Sequence, residues 1–213
     1  MADDSVSSSL PLWMGADPLV LASNSASRRG LLTAAGLVVK IVAVDIDERE
    51  LEDRFLAQGG SIESLAAELA QAKALAASAL RPEAYCLGAD QTLTLEDRLL
   101  HKPRDLAEAA HSLAELAGRT HRLTSAFCIA RSGRILVVDH DTADLHMRIL
   151  DAGAIARYLD LAGPDVISSV GAYQVEGLGV HLFDSIDGDH ATILGIPMLK
   201  LLAWLRDQDL ISL

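Results

Sequence analysis

Cysteine is nearly absent: the chain of 213 residues has two, Cys86 and Cys128. Both sit in apolar, strand-like runs (Tyr85-Cys86-Leu87 and Phe127-Cys128-Ile129), and no Cys-x-x-Cys or Cys/His cluster occurs. This argues against a disulfide framework and a structural zinc site, and reads as two buried free thiols in a reducing compartment. Aromatic residues are 4% of the chain, which leaves few stacking platforms for a single-stranded nucleic acid. Positive charge is scarce as well: 18 Lys and Arg stand against 30 Asp and Glu, a formal net charge of −12. A uniformly basic face for a nucleic-acid polymer is therefore not expected. An acidic chain holds a polyanion only where its few cations are gathered in one place. Long hydrophobic runs are missing too, since none approaches the ~18 residues of a membrane span. The N-terminus, MADDSVSSSL, is acidic and serine-rich, unlike a signal peptide. The expectation is a cytoplasmic protein without a membrane partner: a disordered leader over residues 1–15, then a single domain over 16–213.

What is present is globular: half the residues are hydrophobic and 23% are charged. Leu19 to Ala22 reads as a buried strand, Arg28 to Ala35 as a helix stopped by Gly36, and Leu37 to Val44 as a second strand. Asp45 to Gly60 is acidic and reads as irregular. Ser61 caps a long Ala/Leu helix to Leu80, with Ile62, Leu65, Leu69, Ala72 and Ala76 as its apolar stripe. A strand from Ala84 continues through Gln91 to Leu95 and turns near Glu96-Asp97. Asp105 caps a helix to Ala117. Arg119 to Arg131 and Arg134 to Ile149 read as long strands joined by Ser132-Gly133. Asp151 starts a helix to about Leu161, Gly163 to Gly179 is a glycine-containing loop, and Val180 to Ile186 is a strand. A last helix starts near Pro197. Helices alternate with strands, and the two long strands are antiparallel, so the class is α/β with a mixed sheet.

Several segments carry groups that could do chemistry. Ser23-Asn24-Ser25-Ala26-Ser27-Arg28-Arg29 places hydroxyls, free amides and two guanidiniums at a helix N-terminus. Cations there oppose the helix dipole unless an anion lies between, so the run suits a phosphate; serine capping beside solvated arginines is the alternative. It is not a Walker loop, because no Gly-x4-Gly-Lys occurs. In Gly88-Ala89-Asp90-Gln91 a carboxylate closes an apolar strand, a placement that serves either catalysis or a turn. Lys73 lies at the margin of the stripe of its helix and either snorkels to solvent or points into a site with Asp90. In His101-Lys102-Pro103 the proline extends the residue before it. Asp45-Ile46-Asp47-Glu48 is either a solvated acidic loop or an oxygen-ligand set for Mg²⁺ or Mn²⁺. Gly171-Ala172-Tyr173…Glu176-Gly177-Leu178-Gly179 suggests a tight loop presenting Tyr173 and Glu176. Asp187-Gly188-Asp189 reads as a hairpin turn, and Asp139, Asp141 and Asp144 as a solvated strand face.

The order of these segments is more specific than any one of them. Leu-Ala-Ser-x-Ser-x-x-Arg-Arg, the acidic loop with Glu48, Lys73, Gly-Ala-Asp-Gln, His-Lys-Pro, Gly-Ala-Tyr…Glu-Gly-Leu-Gly and Leu-Gly-Ile-Pro together resemble the Maf family over residues from about 19 to 205. The resemblance implies an elongated mixed sheet flanked by helices, in two lobes around a cleft, over one catalytic domain. It implies a nucleoside triphosphate pyrophosphatase, in which water attacks the α-phosphorus and pyrophosphate leaves. Asp90 matches the family's proposed general base. Ser23, Ser25, Arg28, Lys73 and Lys102 match its phosphate-facing residues, and Glu48 with Asp90 matches its metal-holding acids. A divalent cation (Mg, Mn or Co) is the implied cofactor, a nucleoside triphosphate the implied partner, and a homodimer is implied by the resemblance alone.

The family divides by base, and three positions bear on the branch: Ser27, Gln91 and Glu176. Members similar to the 7-methyl-GTP enzymes carry Trp, Gln and Glu there, so two of the three agree. A carboxylate at Glu176 can accept from a guanine N1–H and 2-amino group. Ser27 in place of Trp removes a stacking surface. A dTTP/UTP-type enzyme and a non-catalytic nucleotide-sensing regulator of division are the alternatives.

Overall fold

The structure, a computed structural model, describes residues 12–213. Most of the expected leader, residues 1–11, lies outside them. Residues 12–15 do not belong to a leader: Trp13 bridges Ile211 as an antiparallel pair, and Leu12 packs on the core.

Seven strands form one mixed sheet. They are β1 (Leu19–Leu21), β2 (Val39–Ile41), β3 (Cys86–Leu95), β4 (Arg98–Leu100), β5 (Thr120–Arg131), β6 (Arg134–Met147) and β7 (Phe183–Asp187). The order is β2-β1-β3-β5-β6-β7, with β4 pairing on β3. β1 runs parallel to β2 and β3, and the remaining pairs are antiparallel. The β5–β6 turn takes positive φ at Ser132 and Gly133, as a tight two-residue hairpin requires.

The helices are α1 (Ala26–Ala34), α2 (Glu48–Ala57), α3 (Ile62–Leu80), α4 (Leu106–Leu116), α5 (Ala152–Ala162), α6 (His190–Ile193) and α7 (Met198–Asp207). Ser61, Asp105 and Asp151 cap α3, α4 and α5, each accepting the backbone N–H three residues on. The segment after Asp45 is not irregular. Asp47 caps α2 by accepting from the Glu50 N–H, and the helix buries only Leu51, so its apolar stripe is faint. The glycine-rich stretch folds into three 3₁₀ turns at Pro164–Ser168, Val170–Ala172 and Leu178–Leu182, which defers β7 to Phe183. Asp187-Gly188-Asp189 is no hairpin; it leads into α6, which Asp189 caps. No helix among the described residues is long and apolar enough to cross a membrane.

Alternation along β3 sends successive residues to opposite faces. On one face Leu87 and Ala89 join a core with Leu19, Leu21, Leu32, Phe127 and Leu201. On the same face Leu93 and Leu95 join a second core with Leu113, Leu116, Leu123 and Met147. Gln91 falls between the two. The other face receives α3, where Ala66, Ala70 and Ala74 meet Ala126, Cys128 and Ala130. The two lobes are thus two cores strung on shared strands, each buried leucine contributing roughly 1.5–3 kcal/mol.

Candidate active site

The cleft arises from a gap in strand pairing. β1 accompanies β3 only as far as Leu87, and β4 joins β3 only at Leu93. Between them the β1 side of β3 has no partner strand, and that stretch carries Asp90 and Gln91. Asp90 therefore sits mid-strand, not at a strand end, but beside the carboxyl end of β1, where open α/β sheets place ligands. The resulting cavity is about 780 Å³. Ser23, Ser25, Ser27, Arg28, Glu48, Lys73, Asp90, Gln91, Lys102 and Glu176 all line it. Every site residue expected from sequence thus converges on one cleft.

Lys73 is on the buried face of α3, not at its margin. That face runs through Leu65, Ala66, Leu69, Ala70, Lys73, Ala74 and Ala77, one step round from the expected stripe; Ala72 and Ala76 are only half-buried. The Lys73 ammonium donates to Asp90 Oδ2 at 2.7 Å and reaches Glu48 Oε1 at 2.7 Å. The lysine is 8% exposed, so in the absence of these carboxylates its charge would be costly. Gly88 makes the approach possible. A Cβ there would lie 2.1 Å from the Ala70 carbonyl oxygen and 2.5 Å from the Ala74 nitrogen. Only a residue without a side chain lets α3 lie this close to β3.

Asp90 is held from several sides. Its Oδ1 accepts from the Gln91 N–H at 2.7 Å and lies 3.7 Å from Arg28 Nη2. Arg28 in turn donates to the Gly195 carbonyl at 3.1 Å and to Ser23 Oγ at 3.3 Å. Gly195 has φ +105, which favours glycine, and a Cβ there would press on Arg28 Nε at 3.0 Å. Ser25 caps α1 through the Arg28 N–H, which starts that helix at Ala26 rather than at Arg28. The hydroxyl of Ser25 is thus engaged in capping. Arg29 is exposed and does not line the cleft.

The three branch positions are tied down by distant groups. Ser27 donates to Glu176 Oε1 at 3.0 Å. Gln91 Nε2 lies within 3.1 Å of Ser125 Oγ and of the Thr192 and Ile193 carbonyls. Carbonyls only accept, so the amide nitrogen faces them. Tyr173 is not presented to solvent. It is 4% exposed, packs edge-on to Phe183, and shares a 2.7 Å hydrogen bond with His121 Nε2. Burial pushes the Tyr173 phenol up and the His121 imidazole down to about 4. Asp144 pairs with Arg122, and Lys200 with Asp139, so those aspartates are not simply solvated.

Among the described residues no group of three or more His, Cys, Asp or Glu side chains is arranged to hold a metal. Glu48 and Asp90 do share one cation position, filled by the Lys73 ammonium. Two hard carboxylates are the donor chemistry a magnesium-like ion would take. Sequence reasoning did not assign Arg49, Glu52, His101, Ser125 or Gly195. Ser125 had a signal, as a polar residue inside the apolar run from Leu123 to Ile129. Arg49 and Glu52 had only the Asp47–Glu50 cap spacing, on a helix that buries Leu51 alone.

A nucleoside triphosphate pyrophosphatase of Rhodopseudomonas palustris is 51% identical over 204 residues, covering 95% of this chain and all of that one. Proteins named 7-methyl-GTP pyrophosphatase are 47% identical in Mesorhizobium japonicum (89% of this chain, 96% of that one) and in Brucella suis (91% and 98%). A solved nucleoside-triphosphatase, a dITP/XTP pyrophosphatase from Mycobacterium abscessus, aligns with TM-score 0.39 and 17% identity, covering 90% of this chain and 95% of that one. Residues 18–208 match the family described as Maf-like protein, and with relatives this similar over nearly the whole chain, this protein belongs to the Maf family.

Proposed function

We propose that this protein hydrolyses the α–β phosphoanhydride of a nucleoside triphosphate, releasing the monophosphate and pyrophosphate. The observation that carries the reading is the ion-pair chain Glu48–Lys73–Asp90–Arg28 at the strand gap, largely buried from Lys73 to Arg28 and open to the cleft at Glu48, in a cleft large enough for a nucleotide. In the reaction a water oxygen bonds to the α-phosphorus and its proton passes to the Asp90 carboxylate. The bond from the α-phosphorus to its bridging oxygen breaks, and pyrophosphate carries the electron pair away. Lys73 and the Gln91 N–H hold the Asp90 carboxylate in place for that transfer. Arg28 and Lys102 oppose the charge that develops on the phosphates.

Four cations and four carboxylates line the cleft: Arg28, Arg49, Lys73 and Lys102 against Glu48, Glu52, Asp90 and Glu176. Its formal charge is therefore zero, and a triphosphate needs further positive charge to be held. A divalent cation on Glu48 and Asp90 would supply that charge and polarise the phosphoryl oxygens. The base lies, in this reading, by Ser27, Gln91 and Glu176. Glu176 is a hydrogen-bond acceptor suited to the N1–H and 2-amino edge of a guanine, which favours 7-methyl-GTP or another modified purine nucleotide over dTTP or UTP. The buried thiols Cys86 and Cys128 fit a reducing, cytoplasmic setting.

The test is a panel of common and methylated nucleoside triphosphates with Mg²⁺, Mn²⁺ or Co²⁺, reading pyrophosphate. Asp90→Asn is expected to lower turnover by about 100- to 10,000-fold. Saturable nucleotide binding without turnover under any metal would favour a sensing role instead.

A further inference from the structure

Lys73 is taken by two carboxylates, and Arg28 lies beside Asp90 with bonds to Gly195 and Ser23. Two cations of the cleft remain less committed: Lys102, which is exposed and has no ion pair among the described residues, and Arg49. Arg49 is the residue after Glu48, on the first turn of α2. Its Nη1 lies 2.7 Å from His101 Nε2. A guanidinium only donates, so this ring nitrogen accepts, and His101 keeps its proton on Nδ1 as a further donor. Glu52 anchors the guanidinium, with Oε1 3.4 Å from Arg49 Nη1. The Glu52 side chain is 13% exposed, while those of Arg49 and His101 are 59% and 41% exposed. The carboxylate is therefore the buried anchor, and the donors stand toward the cleft mouth.

Resting on the pyrophosphatase reading, we infer that Arg49 and His101 extend the phosphate site into a separate subsite for the terminal phosphates, the pair that departs as pyrophosphate. One member of the pair follows Glu48, which is bonded to Lys73, and the other precedes Lys102. Both belong to the lining of the same cleft as Glu48 and Lys102, so the subsite continues from the reacting end. A guanidinium with unspent N–H groups, an imidazole N–H and an ammonium are the donors that recognise a doubly phosphorylated anion. Glu52 acts as a positioning residue that holds the guanidinium, and the guanidinium holds the ring, when no anion is present. Arg49–His101 also links α2 to the loop after β4, and a link without ligand contact is the competing account.

The two accounts separate by calorimetric titration of inorganic pyrophosphate and of guanosine monophosphate into wild type, Arg49→Gln, Arg49→Lys and His101→Gln. Arg49→Gln and His101→Gln are expected to weaken pyrophosphate about tenfold, the weight of one charge-assisted hydrogen bond, and to leave the monophosphate within twofold. Arg49→Lys, which keeps the charge, recovers part of the loss. Arg206→Gln, on the last turn of α7 and away from the cleft, serves as the charge control. Unchanged pyrophosphate affinity in both glutamine variants overturns the inference. So does an equal loss for pyrophosphate and monophosphate, which marks a mere link. The titration needs no turnover, so a wild type that releases no pyrophosphate from any nucleotide would sink the hydrolase reading separately.

Discussion

Gly88→Ala tests whether close packing of α3 on β3 sets the catalytic geometry. The new Cβ would meet backbone atoms at 2.1 and 2.5 Å, where ordinary contact begins near 3.4 Å. Neither the Ala70 carbonyl nor the Ala74 nitrogen can rotate away, so α3 must retreat by roughly 1 Å. Overpacking of this kind costs about 1–3 kcal/mol. The retreat also draws Lys73, the neighbour of Ala74, away from Asp90 and Glu48, stretching two 2.7 Å contacts beyond hydrogen-bond length. Losing one charged hydrogen bond adds about 1.5–3 kcal/mol. A total of about 2.5–6 kcal/mol corresponds to a drop in Tm of roughly 5–24 °C for a domain of this size. A 1 Å misplacement of catalytic groups lowers kcat/KM by about 100-fold. The assay pairs thermal melts with pyrophosphate release. Gly30→Ala is the control, since nothing lies within 4 Å of a Cβ there and the position is inside α1; it should stabilise by about 0.5–1 kcal/mol. A Gly88→Ala protein with wild-type Tm and activity would refute the reasoning.

Acid stability and base preference give two further tests. His121 is buried neutral, with its imidazole pushed down to about 4 by burial. In the unfolded chain it titrates near 6.5, so the unfolded state binds the extra proton first. The stability of neutral burial is therefore complete above pH 6.5 and is lost progressively as pH falls toward 4, by about 3 kcal/mol in all. His121→Phe should flatten that part of a Tm-against-pH curve; a slope unchanged in the variant assigns the acid sensitivity elsewhere. Ser27→Trp should restore a stacking surface for a cationic methylated base and raise the ratio of kcat/KM for 7-methyl-GTP over GTP by about 2- to 30-fold. An unchanged or lower ratio would remove Ser27 from the base site.

Local chemistry was legible wherever cause and effect lie within one turn of chain. Ser61, Asp105 and Asp151 accept the N–H three residues ahead, so their helices start where the sequence says. The β5–β6 hairpin follows from its apolar runs and its Ser132-Gly133 turn. By the same rule Asp47 and Glu50 announced α2, but a helix burying only Leu51 offers little periodicity to support the cap. The ordered motifs from Ser23 to Pro197 carried the family, and that much needed no coordinates.

Orientation was decided by the tertiary structure. Lys73 meets Asp90 across 17 residues, Arg49 meets His101 across 52, and Ser27 meets Glu176 across 149. No local periodicity encodes such pairs, because they depend on which face of α3 is pressed against β3 and where β1 stops pairing. The buried partner of Tyr173 is likewise remote, and it turned an expected surface group into a core one. The scarcity of cations visible in the sequence takes its meaning here. The chain has few, and the fold gathers four of them in one cleft, where four carboxylates balance them.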